Sequence, residues 1–278
     1  MATTPGYKQG AFLPKWFGRF GNNIQQISNA IYYCEKYKIH FDMAPHPMIE
    51  DIVLPFGETK MPGNENQWSY FYFMEGKECN FPNENLDILN FQRKLICEKY
   101  IYPKLKIDHS KVEEPFDGLV IHLRSGDVFT NPHPSFVQNP LSYYLEIIKT
   151  QYIGNTIIIT EDNNHPFIPL FTKLSIPILN LSEKDTLEVL LSAEALATSG
   201  CGTYAVSAAL CSKNLRKLFC TNIWLDESLN PSMLKNHVEV LCADINSNKY
   251  ISRGDWKITN ETIHKMLSYN ETIKFRRL

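Results

Sequence analysis

The chain has 278 residues, 44% of them hydrophobic and 21% charged, a globular composition without the biases of disordered or fibrous proteins. Its formal net charge of -2 offers no general attraction to nucleic acid or acidic lipid, so nucleic acid is not an expected partner. No apolar run approaches the roughly 20 residues that cross a bilayer, and no integral membrane segment is expected.

The first ten residues show no basic stretch followed by an apolar one, which argues against a secretory signal. The expected compartment is therefore the cytoplasm, of a bacterium or of a virus and its host. Seven cysteines, at 34, 79, 97, 201, 211, 220 and 242, form no C-x-x-C pair and are read as reduced, buried thiols. Asn-x-Ser/Thr triplets at 180, 260 and 270 are read as chance matches to glycosylation acceptors.

In chain order, Ile24, Ile27, Ile31 and Cys34 recur at steps of three and four, which predicts an amphipathic helix over 23–38. A short strand is expected at 38–43, and irregular structure over 44–85, where Pro, Gly, Asn and aromatics abound. The aromatic run at 68–73 reads either as a sugar-stacking surface or as core. A second helix is expected over 85–100, stopped by Pro103. The character of the chain changes near residue 106, and the polar segment 106–117 reads as a linker.

After it, apolar runs at 119–123, 156–160, 176–181 and 218–221 predict strands. Helical patterns at 141–149, 186–197 and 204–211 lie between them. This alternation predicts a parallel sheet with crossover helices, an α/β fold. The tail, 259–278, reads as a helix with a basic end. The expected domains are 1–112, 113–258 and a C-terminal helix at 259–278.

Open parallel sheets bind ligands beyond the carboxyl ends of their strands. Four segments stand at such ends or before helices. In Gly118–Asp127, His122 and Arg124 are two apart, so both side chains point to one side of a strand. Arg124 offers a charged fork suited to phosphate; it can equally pair with Asp127 and order the turn. In 199–210, Gly200 and Gly202 flank a turn, Thr203 can cap, and a small-residue helix follows, an anion site or simply a tight loop. In Gly18–Asn23, Arg19 stands between glycines, and Asn22 or Asn23 can cap the next helix. The acids of Thr160–Asn163 can accept from ribose hydroxyls or be solvated. Ser182 to Asp185 reads as a capping box. No Asp-x-Asp clamp and no zinc spacing occur, so no metal is expected.

Together GRFGNN, HLRSGD and GTYAVSAAL, in this order and over roughly residues 16–212, resemble the fucosyltransferase superfamily. The closest pattern is the α-1,2-fucosyltransferase type, and GRFGN and HLR also resemble the protein-O-fucosyltransferases. The resemblance implies a GT-B-like fold, two Rossmann-like lobes with the donor site between them. It implies a metal-independent inverting glycosyltransferase with no cofactor, moving L-fucose from GDP-fucose to a hydroxyl of an oligosaccharide or glycoconjugate. Lobe 1–112 would face the acceptor and lobe 113–258 would bind the nucleotide sugar. Arg124 would grip the donor's β-phosphate, Asp127 would orient it, and His133 is the candidate general base. Gly18, Arg19, Gly21, Asn22, His122, Ser125, Asp162, Gly202, Thr203 and Tyr204 complete the expected donor site. The family's second Arg is Ser125 here and its Gln is Asn23, so a UDP-sugar such as UDP-xylose is the alternative donor. The rival from another class is a non-catalytic carbohydrate-binding pseudoenzyme.

Overall fold

The structure is a computed structural model that describes residues 10–55, 86–151, 155–224, 229 and 231–278. The aromatic run at 68–73, Cys79 and most of the expected irregular stretch at 44–85 lie outside the described residues. The chain divides into two compact units between Lys106 and Ile107. That division coincides with the change in character near residue 106 and falls before the expected boundary at 112.

In the first unit, strand β1 (Gly10–Leu13) leads into helix α1 (Phe20–Tyr37), which returns to strand β2 (His40–Met43), parallel to β1. The predicted apolar stripe is the buried one: Ile24, Ile27, Ile31 and Cys34 are fully buried, with Leu13, Phe41 and Ile49. Lys38 ends α1 in the left-handed conformation. Helix α2 (Leu86–Ile96) continues into a π turn (Cys97–Ile101) and a 3-10 turn (Tyr102–Lys104) that carries Pro103, the expected stop.

The second unit opens with a short helix, α3 (His109–Glu113), where a linker was expected. Asp108 caps it, accepting from the Ser110 backbone N–H at 3.1 Å. Then come β3 (Phe116–Leu123), α4 (Asp127–Thr130), α5 (Leu141–Gln151), β4 (Thr156–Thr160), α6 (Ile168–Lys173), β5 (Ile178–Asn180) and α7 (Glu183–Ser192). They are followed by β6 (Ala193–Ala197), α8 (Tyr204–Cys211), β7 (Lys217–Thr221), β8 (Glu239–Ala243), α9 (Asn260–Ser268) and β9 (Phe275–Arg277).

The seven strands stand in the order β5-β4-β3-β6-β7-β8-β9, all parallel except β9, which runs antiparallel to β8. Counted within the unit, this is the 3-2-1-4-5-6 order of doubly wound sheets, with one added edge strand. Leu119, Ile121 and Leu123 of β3 pack into a core with Tyr143, Tyr144, Phe167, Phe171 and Trp256. Helices α7 and α8 pack on each other, and α7 also lies against β3. The α/β class expected from the sequence is therefore present.

Two further expectations fail. The pattern at 186–197 is not one helix: the chain leaves the helix at Ser192, and Ala193–Ala197 is a strand between β3 and β7. The tail at 259–278 is a helix only to Ser268, and Phe275–Arg277 closes the sheet edge within the second unit. Among the described residues, no helix is long and apolar enough to cross a membrane.

Candidate functional site

The strand order reverses between β3 and β6, and at such a reversal the loops leaving the two strands part to open a crevice. The loop after β3 carries Arg124, Ser125 and Gly126 and runs into Asp127 at the start of α4, and the loop after β6 carries Thr198 to Thr203. One buried hydroxyl joins them: Ser199 Oγ accepts from the Arg124 backbone N–H at 2.8 Å and donates to the His122 carbonyl at 2.6 Å. Gly202 lies along the Arg124 side chain, where a Cβ would stand 3.5 Å from Cδ.

The Arg124 side chain is 13% exposed, and both arms of its fork are engaged. Nη2 pairs with Asp127 Oδ1, and Nη1 pairs with Glu161 Oε1 from the end of β4. Gly126 makes that turn possible. Its φ of +62° is a region L side chains rarely adopt, and an added Cβ would lie 2.4 Å from Glu161 Oε2. Ser125 donates through Oγ to Asp162 Oδ1 at 2.6 Å, and the Asn164 N–H donates to the same oxygen at 2.8 Å. Burial works to raise the Asp162 pKa, but hydrogen bonds from Ser125, Asn164 and Gly126 outweigh it and hold the carboxyl below its ordinary value.

His122 points toward α8, its ring 5.8 Å from that of Tyr204. Burial first, and the Arg124 charge second, lower its pKa to about 3, so the ring is neutral at pH 7. The Tyr204 hydroxyl donates to the Glu183 carbonyl at 2.6 Å, which ties the start of α8 to α7. Burial raises its pKa further above the ordinary tyrosine value. Thr203 occupies the N-cap position of α8 but makes no side-chain cap there. His133 is exposed on the loop after α4, with its Nδ1 accepting from the Ser135 N–H at 3.2 Å and its ring 5.2 Å from Phe136.

The first-unit residues form their own cluster. Arg19, exposed, is the N-cap residue of α1, and Gly21 and Asn22 lie inside the helix, so the expected asparagine cap is absent. Asn23 instead faces inward. Its Nδ2 donates to the Phe17 carbonyl at 3.1 Å, and its Oδ1 lies 3.0 Å from His46 Nε2. Gly18 turns the chain before them with φ +69°. Trp16 meets the same histidine edge-on at 4.8 Å. Burial, then the Lys106 charge, lowers the His46 pKa to about 4.

Beyond β6 and β7 lies a shallow open cleft lined by Cys201, Gly202, Val206, Thr221, Trp224 and Pro231. Asn139 braces its floor, donating to the Thr198 carbonyl at 2.8 Å and accepting from the Thr221 hydroxyl at 2.6 Å. Burial pushes the Cys201 thiol up to about 12, so it is no nucleophile.

The structure thus gathers His122, Arg124, Ser125, Asp127, Asp162 and Gly202 at one crevice, with Thr203 and Tyr204 opening the helix beside it. Glu161 belongs to the Thr160–Asn163 segment and Ser199 opens the 199–210 segment, both singled out in the sequence, whereas Thr221 and Trp224 were not expected there. Thr221 stands at a strand end, so the strand-end rule reaches it, and Trp224 offers no signal of its own. Among the described residues, no group of three His, Cys, Asp or Glu is placed to hold a metal ion. No protein-family model, curated protein or solved structure matches the chain.

Proposed function

We propose that the chain is a metal-independent, inverting glycosyltransferase that draws its sugar from a nucleoside-diphosphate donor. GDP-fucose is the first donor of this reading, and a UDP-sugar such as UDP-xylose is the alternative. The acceptor is a hydroxyl of an oligosaccharide or glycoconjugate, and the two-lobed GT-B-like architecture belongs to the same reading. The observation that carries it is the place of Arg124, a cationic fork at the strand-order reversal, beside a glycine turn that opens a helix.

In this reading Arg124 binds the donor diphosphate and stabilises the charge that builds on it as the sugar leaves. Backbone N–H groups at the start of α8 add partial positive charge on the same side. Asp127 orients the guanidinium. A base must take the acceptor proton, and with Asp127 held by Arg124, His133 is the first candidate.

One observation favours a second reading, a carbohydrate-binding protein without catalysis. Arg124 already holds two carboxylates, and carboxylates are also acceptors for sugar hydroxyls. A thermal-shift titration with GDP, UDP, ADP and CMP, then with their sugar conjugates and free sugars, separates the two. A ligand at 100 times its Kd adds about 2.7 kcal/mol of stability, a shift easily seen. Stabilisation by GDP and GDP-fucose is the expected result, and stabilisation by UDP would move the donor and keep the reaction class. Stabilisation by free sugars alone would replace the transferase with the binder.

A further inference from the structure

Arg124 is one positive charge paired with two carboxylates, those of Asp127 and Glu161, and a third acid, Asp162, is bonded to the neighbouring Ser125. An incoming diphosphate meets net negative charge there unless one acid gives way, because like charges brought together in a partly buried site repel strongly. The three acids are not equally able to move. Asp127 is three residues from Arg124 and begins α4, where its carbonyl accepts from the Asn131 N–H at 2.8 Å. Asp162 is held by Ser125 and by the Asn164 backbone. Glu161 follows a separate strand, β4, on a longer side chain and rests over the bare Gly126 turn.

We infer that Glu161 is a specificity residue of the donor site, the acid that holds Arg124 until a diphosphate takes its place. The inference rests on the glycosyltransferase reading and names the ligand class more narrowly. A tethered carboxylate competes at high effective concentration. Only a polyanion able to engage both arms of the fork displaces it, which a diphosphate does and a free sugar does not.

The experiment is calorimetric titration of the full chain with inorganic pyrophosphate, GDP and UDP. It compares the wild-type protein with Glu161→Gln, with Glu161→Ala as a second variant, and with the Arg124→Ala/Glu161→Gln double variant. Removing the competing charge is expected to tighten pyrophosphate and the preferred nucleotide roughly tenfold in both single variants, and the double variant loses the gain. Binding by Glu161→Gln where the wild-type protein shows none supports the inference equally. Wild-type binding that neither single variant improves overturns it and leaves the donor reading standing. A gain that survives in the double variant also overturns it, because the anion then bypasses Arg124. No binding by any form overturns both.

Discussion

Two turns in this molecule share a plan, a glycine at positive φ beside an arginine at the mouth of a helix, yet one leaves its arginine exposed and the other largely buries it. At Gly18 the chain enters α1, Arg19 lies exposed as the N-cap residue, and Asn23, Gln26 and His46 form a buried hydrogen-bonded group beside it. At Gly126 the chain enters α4, and the ordered contacts belong to Arg124 itself, pinned by acids from two different elements. At Arg124 the partners come from two elements, Asp127 at the start of α4 and Glu161 after β4, brought together by the parallel pairing of β3 with β4.

The largest effect that tests this contrast is on turnover. Arg124→Ala should lower sugar transfer on the order of 10²–10³-fold, the loss typical of removing one group aimed at developing transition-state charge. Arg19→Ala should cost much less. The fold should survive, because Asp127 and Glu161, 37% and 35% exposed, can hydrate once the guanidinium is gone. Steady-state rates beside circular dichroism test it, and equal losses at the two arginines would dissolve the contrast.

Acid stability comes next. His122 and His165 have folded pKa values of about 3, and His46 about 4, against 6.5 unfolded, all lowered mainly by burial. A lowered folded pKa means that the unfolded chain takes up protons first. The stability of these neutral rings is complete above pH 6.5 and falls as pH drops toward the folded values. At about 1.4 kcal/mol per pKa unit, His165 alone contributes roughly 2 to 3 kcal/mol of loss between pH 6.5 and about 4.5. His165→Asn keeps an acceptor for the Phe167 N–H, now 3.2 Å from Nδ1, and should flatten that limb in urea titrations. An unchanged slope would mean that the ring already charges in the folded state.

How far the sequence displays this arrangement depends on the element. β4, which is Thr156–Thr160, and α8, which is Tyr204–Cys211, match the bounds read from periodicity, because each is an unbroken apolar or small-residue run between polar turns. β6 does not. Ala193–Ala197 continues from α7 with no Gly, Pro or turn residue between them, and its Ala, Glu and Leu are strong helix formers. Only pairing with β3 and β7 draws it into a strand. Since β6 makes one side of the reversal, the crevice could not be placed from sequence although its residues could be named. Asn23 shows the opposite case: its type suggests a cap, but burial turns it toward His46.

The glycines themselves give a smaller and more discriminating effect. Gly18→Ala and Gly126→Ala each force a side chain into a left-handed turn and into contact, with Asn22 Nδ2 at 2.0 Å in one and Glu161 Oε2 at 2.4 Å in the other. Each should destabilise by about 1–3 kcal/mol, read from urea midpoints. Only Gly126→Ala should also change nucleotide affinity, because only there does the added Cβ press on a group that holds the arginine. Equal changes in affinity would make both turns part of the donor site.

The smallest expected effect is none. The chain contains no Asp-x-Asp, and Asp127, Glu161 and Asp162 are committed to Arg124, Ser125 and a backbone N–H. A divalent ion bridging donor and acids would have to strip Arg124 of its partners, undoing the arrangement that the pairing of β3 with β4 assembles. If Arg124 carries the diphosphate, transfer should be unchanged in excess EDTA, while a Mg²⁺ titration leaves kcat/KM flat. A tenfold loss on chelation, restored by metal, would turn the comparison around: the acids would be the ligand-binding groups of the second turn, and Arg124 the counter-ion that keeps them in place.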